Sequence, residues 1–104
     1  MKPYDLLKEA ILKHRQVVAV YHGLPREFCP HVLGTKDGKE HCLAYQFGGQ
    51  SSTGPIVPGS TDNWRCFLVS ELSDVSLRDG LWFSAGNWDR RQTCVGRVDA
   101  AVET

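Results

Sequence analysis

The sequence predicts an α+β fold in which one N-terminal helix packs against a small, strongly bent antiparallel sheet. Three observations carry this. Apolar residues recur at helical spacing near the start, where Leu6, Leu7, Ala10 and Ile11 mark one stripe. From Gln16 onward the period falls to two, and β-branched and aromatic residues take over. Asp37-Gly38, set between two such runs, signals a tight hairpin.

The helix is expected over about residues 3–14. Pro3 fits its first turn, Asp5 suits the positive end of the helix dipole, and Lys13, His14 and Arg15 suit the negative end. Glu9 and Lys13 form an i,i+4 pair worth a few tenths of a kcal/mol. So short a helix does not persist alone, and its stripe must find a partner surface.

The strands follow in order. Gln16 to His22 (QVVAVYH) is the first, ended by Gly23. Arg26 to Leu33 is the second, with an edge or bulge at Pro30, which has no N–H to give to a ladder. In the third, His41, Leu43, Tyr45 and Phe47 alternate with Cys42, Ala44 and Gln46. Gly48 to Asn63 is rich in Gly, Ser, Thr and Pro and reads as a long loop, a lid or partner-binding segment or else a tolerated insertion.

Trp64 to Val69 is the fourth strand, Ser70 to Asp74 a tight connection, and Val75 to Leu77 a short fifth strand. Residues 81–104 hold Trp82, Phe83 and Trp88 and then a polar tail, and receive no assignment. These aromatics either dock a partner or fold back over a sheet edge. One helix and four or five short strands in about a hundred residues make an SH3-like barrel with the helix packed on it. The chain reads as one domain over 1–104, with a core at about 3–80 and a C-terminal extension at 81–104.

Composition narrows the function classes. Of the 104 residues, 41% are hydrophobic and 23% charged, as in ordinary globular proteins. Twelve basic residues balance twelve acidic ones, which excludes a general polyanion binder but permits a local basic patch. No run reaches the roughly 18 apolar residues of a membrane-spanning helix. The start, MKPYDLLKEAILKHR, has no continuous apolar segment, so a cytoplasmic protein with no membrane association is expected. Cys29, Cys42, Cys66 and Cys94 form no tight pair, and reduced thiols are the expectation for that compartment.

One stretch stands out. NWRCFLVSELSDV, from Asn63 to Val75, places Arg65 inside a strand whose alternation sets Trp64, Cys66 and Leu68 on one side and Arg65, Phe67 and Val69 on the other. Together with AILKHRQVVAVYHG and PHVLG (Pro30 to Gly34), this stretch resembles the WYL domain. That SH3-like (Sm-like) module occurs in bacterial transcription regulators, some helicases and CRISPR-associated proteins. The resemblance runs from about Leu6 to Leu77. It implies that Arg65 is an arginine of the ligand pocket, Phe67 the core aromatic, and Leu72 and Val75 packing positions. In the strand that names the family, His41 and Cys42 replace Trp and Tyr, while Leu43 matches. Leu68 and Glu71 stand where two further arginines often occur, so the basic pocket is depleted.

The candidate ligand-binding residues are therefore Arg65, Tyr21, His31 and Tyr45. Arginine binds phosphate or carboxylate through two parallel hydrogen bonds. Tyr21 and Tyr45 offer stacking faces for a base, and His31 a hydrogen-bonding wall. The competing reading for Arg65 is a cation that pairs with Glu71 or Asp74 and does nothing else. A metal site from Cys29, His31, Cys42 and Cys66 is geometrically conceivable: with a two-residue turn at Asp37-Gly38, Cys29 and His31 share a face with Cys42. The spacing matches no zinc pattern, and no metal or cofactor is expected. No nucleophile elbow or paired acid and base is visible, so no catalytic residue is assigned.

The sequence thus points to a non-enzymatic ligand- or nucleic-acid-binding regulatory module resembling a standalone WYL domain. A nucleotide or single-stranded nucleic acid would be its ligand, and a homodimer or regulatory protein its partner. The alternative is a structural or dimerisation module that uses the aromatic C-terminal segment. A small metal-dependent or thiol enzyme comes third.

Overall fold

The computed structural model describes residues 2–52, 54–86 and 92–102. Helix α1 spans Pro3–Lys13 and buries Leu7, Ala10 and Ile11. It stops at His14, which turns into the left-handed region (φ 51°) while the last carbonyls are capped through Ala10. The strands are β1 (Gln16–Tyr21), β2 (Leu24–Lys36), β3 (Lys39–Gly49), β4 (Trp64–Leu68), β5 (Leu72–Arg78) and β6 (Arg97–Ala101). They form one antiparallel sheet in the order β4-β3-β2-β1-β5, with β6 added on β2. A short 3-10 turn, Val69–Glu71, joins β4 to β5.

The long strand β2 organises the molecule. Along one edge it pairs with β3 for nearly its whole length, from Arg26 opposite Gly49 to Lys36 opposite Lys39. Along the other edge, β1 takes Leu24 to Phe28 and β6 takes Val32 to Thr35. The hairpin turn is the two-residue Asp37-Gly38, both with positive φ (54° and 78°), as a type I′ turn requires.

The bulge expected at Pro30 is present, and it changes which side chains meet. The register shifts between Pro30 and Val32, leaving His31 as the extra residue. Leu33 lies opposite Cys42, but Cys29 lies opposite Tyr45 rather than Gln46. Cys29 and Cys42 therefore sit on opposite faces, which corrects the shared face inferred from the turn length alone. A second shift between Glu27 and Phe28 leaves Phe47 as the extra residue in β3.

The main core joins α1 to one face of the sheet through Leu7, Ile11, Val17, Phe28, Leu33 and Phe67, among others. A smaller cluster on the other face contains Val32, Leu43, Cys94 and Val95, with Trp64 packed against it.

Three further details differ from the sequence reading. β5 begins at Leu72 and runs to Arg78, longer than expected, because the connection closes within the turn at Val69–Glu71. The C-terminal extension supplies β6, and Ala100 and Val102 enter the main core. RVDAA has too little apolar periodicity to announce a strand, and it is shaped by the β2 edge it fills. Finally, Cys66 and Cys94 form a disulfide (Cα–Cα 5.5 Å), against the expectation of reduced thiols. β4 pairing puts Cys66 beside Leu43, on the face where Cys94 is buried, so proximity in the fold overrode their distance in the sequence. Cys29 and Cys42 are free and buried.

Candidate functional site

Arg65 sits on β4 opposite Ala44, two positions from Phe67, which lies opposite Cys42 in the core. Its Nη1 donates to the carbonyls of Asp62 (2.6 Å) and Trp64 (3.0 Å), and its Nη2 to Ser51 Oγ (3.2 Å). Its Nε is buried with no hydrogen-bond partner. The sequence reading offered Glu71 or Asp74 as a counterion. Glu71 instead meets His22 at 2.9 Å. Among the described residues, these hydrogen-bond partners of Arg65 are all neutral.

A second arginine stands nearby. Arg26, on β2 opposite Gly49, is only 3% exposed. Its two hydrogen bonds are long, 3.3 Å to Gln46 Oε1 and 3.3 Å to the carbonyl of Tyr21, and its Nε has no partner. The guanidinium lies 5.5 Å from the Tyr21 ring centroid and 5.9 Å from that of Phe67, contacts that attract a cation weakly. Among the described residues, neither arginine forms a salt bridge.

The electrostatics follow. Burial holds Arg26 below the usual arginine range, and the like charge of Arg65 adds to that effect. Burial also lowers Arg65, with Asp62 partly opposing it. Both remain cations at neutral pH. Gln46 fixes the arrangement: its carbonyl receives Arg26, and its Nε2 donates to the carbonyls of Gly48 (2.9 Å) and Gln50 (2.8 Å). The start of the long loop is thereby tied across this end of the sheet. A cleft of about 520 Å³, lined by Phe47, Gly49, Gln50, Ser51, Pro55 and Ile56, opens beside it. Neither guanidinium lines that cleft; Ser51, which receives Arg65, is the residue the cleft shares with the arginine pair.

The four sequence candidates divide into two sets. Tyr21 joins the arginines: its ring packs edge-on to Phe67 at 4.8 Å, and its hydroxyl accepts the Leu68 N–H at 3.2 Å. His31 and Tyr45 lie on the other face, edge-on to Trp64 at 4.7 and 5.1 Å. Tyr45 is buried, donates to the Ser60 carbonyl at 2.8 Å and anchors the end of the loop. His31 is fully buried, with Nδ1 2.7 Å from the Cys29 carbonyl and Nε2 2.9 Å from Ser84 Oγ. A carbonyl only accepts, so Nδ1 carries the proton and Nε2 accepts from Ser84. Burial lowers its pKa to about 4.

Arg26 and Gln46 were missed in the sequence. The signal for Arg26 was the same as for Arg65, a cation two residues from a core phenylalanine (Phe28). Pro25 and Glu27 beside it made the position look like an exposed strand edge.

On the opposite face, a groove of about 600 Å³ is lined by Lys36, Lys39, His41, Arg65, Cys66 and Cys94, with Asp37 as its one acidic residue. Lys36 Nζ donates to the carbonyl of Thr93. Trp82 is half-buried and stacks on His14 at 4.8 Å, and Phe83 stacks on Phe47 at 4.7 Å. These two aromatics fold back onto the protein. Trp88, Asp89, Arg90 and Arg91 lie outside the described residues, and Arg97 is exposed on β6. Among the described residues, no three His, Cys, Asp or Glu side chains gather as metal ligands, and no helix is long and apolar enough to cross a membrane. Comparison with known proteins finds no matching family model, no matching curated protein and no matching solved structure.

Proposed function

We propose that this chain is a non-enzymatic module that binds an anionic ligand, a nucleotide or a segment of single-stranded nucleic acid, at the end of the sheet where Arg26 and Arg65 approach each other. One observation carries the reading: Arg26 is 3% exposed, has an unpartnered Nε and forms no salt bridge among the described residues. A buried charge without a counter-charge is costly, and a bound anion removes that cost. Arg65 stands close enough to add its own charge, and Tyr21 offers a ring beside both.

The finer fold assignment belongs to the same proposal. The 3-10 turn between β4 and β5 and the N-terminal helix support an SH3-like arrangement of WYL type, although the order β4-β3-β2-β1-β5 leaves β4 and β5 unpaired with each other and the sheet open. A regulatory role would follow from ligand binding coupled to a protein partner or a second copy. The alternative, a dimerisation module without a ligand, loses support because Trp82 stacks on His14 and Phe83 on Phe47, although Leu81 and Phe83 stay exposed among the described residues there.

Calorimetric titration with inorganic phosphate, nucleoside mono- and diphosphates and a short single-stranded oligonucleotide tests the reading. At least one should bind saturably, more weakly at higher salt, and Arg65→Ala should cost about tenfold or more, the worth of a charge-assisted hydrogen bond. Failure of the whole set to bind wild type, or an unchanged affinity in Arg65→Ala, would sink the proposal.

A further inference from the structure

The groove on the face opposite α1 combines two features that the anion reading leaves unused. It is lined by Lys36, Lys39 and His41, with Arg65 shared with the anion reading, against one carboxylate, Asp37, so its field is positive although the chain as a whole is neutral. Both sulfur-bearing residues of the disulfide, Cys66 and Cys94, also line it. The two sulfurs are not equivalent: Cys66 is an exposed residue, whereas Cys94 is only 7% exposed.

We infer that the Cys66–Cys94 disulfide is a thiol–disulfide exchange site selective for small anionic thiols, which the groove gathers beside Cys66. Thiol–disulfide exchange requires a thiolate to reach one sulfur while the other leaves as thiolate. Access selects Cys66 as the sulfur attacked. The positive lining raises the local concentration of an anionic thiol and stabilises the negative charge that builds on the departing sulfur. Lys36 is well placed for the second task, because its ammonium is fixed to the carbonyl of Thr93, the neighbour of Cys94.

The step balances as follows. A thiolate RS⁻ attacks Cys66 Sγ, the Cys66–Cys94 S–S bond breaks, and Cys94 leaves as a thiolate that takes a proton from water. The product is a mixed disulfide between R and Cys66. A second RS⁻ attacks the R sulfur of that mixed disulfide, releasing RSSR and the Cys66 thiolate. Two small thiols are oxidised to one disulfide, and two electrons reduce the protein's disulfide to two thiols. This inference does not depend on ligand binding at Arg26, and its test leaves both arginines in place.

The oxidised 104-residue chain is exposed at low salt to equal thiolate concentrations of 2-mercaptoethanesulfonate (anionic), 2-mercaptoethanol (neutral) and cysteamine (cationic). Intact mass and peptide mapping follow the products. The sulfonate thiol should react about tenfold faster than cysteamine, the difference should collapse in about 1 M salt, and the first adduct should map to Cys66. In Lys36→Glu/Lys39→Glu the order of the anionic and cationic thiols should reverse. Equal rates for the three thiolates on wild type, a first adduct on Cys94, or a disulfide inert to all three would overturn the inference. The wild-type comparison stands alone if the double variant fails to fold.

Discussion

A guanidinium shut away from water without a carboxylate is a cost that the remaining contacts must carry. Arg26 has two long hydrogen bonds and two aromatic faces to offset it. Replacing it with an apolar side chain of similar length removes the desolvation cost and keeps most of the packing. We therefore expect Arg26→Met to raise the unfolding free energy in anion-free buffer by about 1–3 kcal/mol, and to abolish any stabilisation by added phosphate. Urea unfolding with and without phosphate reads both effects, and a less stable Arg26→Met would show that Gln46 and Tyr21 already satisfy the cation. His31 poses the reverse problem, a buried group that stays neutral. Its pKa falls from 6.5 to about 4 on folding. The unfolded chain takes up the proton first as pH drops. His31 thus costs nothing above about pH 6.5, destabilises the fold progressively between there and about pH 4, and reaches a limit near 3 kcal/mol below that. Comparing the pH dependence of unfolding in wild type and His31→Gln isolates this contribution, and parallel profiles would contradict it.

At the level of elements, β6 seats on β2 only because Gly34 carries no side chain. A Cβ at that position would collide with the carbonyl oxygen of Arg97 and with Val95 Cγ1. Gly34→Ala should therefore lift β6 off its edge, cost about 2–3 kcal/mol, and speed amide exchange at Val102, whose N–H is bonded to the His31 carbonyl at 2.9 Å. Unchanged exchange there would mean that β6 shifts without detaching. The same comparison shows what local pattern can reveal. The helix, β1, β3, β4 and the Asp37-Gly38 turn were legible because period, turn chemistry and burial agreed. β6 was not, since RVDAA becomes a strand only when the β2 edge receives it. Arg65 was legible as an anomaly because its cation contradicted its apolar neighbours. Arg26 was hidden by polar neighbours, and its burial depends on Tyr21 and Phe67, which reach it from other strands.

For the molecule as a whole, the C-terminal segment belongs to the architecture. It is held by a disulfide to β4, by pairing with β2, and by the Tyr4 hydroxyl donating to Asp99 at 2.8 Å. Truncation before Gly80 would remove all three ties, so a dimer lost on truncation would report damage to the fold as readily as loss of an interface. The two bulges of the β2–β3 hairpin carry a consequence of a different kind. His31 is the extra residue on one strand and Phe47 the extra residue on the other, so the hairpin leaves its second bulge in the pairing frame it had before the first. Between them, every side chain is turned over relative to a plain hairpin. Deleting His31 alone would leave Cys29 opposite Tyr45, and deleting Phe47 alone would leave Arg26 opposite Gly49, because each is surplus to the ladder. Removing both would give a plain hairpin with the same partners. His31 and Phe47 are therefore the two positions where this hairpin can lose a single residue without resetting its pairing, whereas a deletion elsewhere must be absorbed by shifting or erasing a bulge.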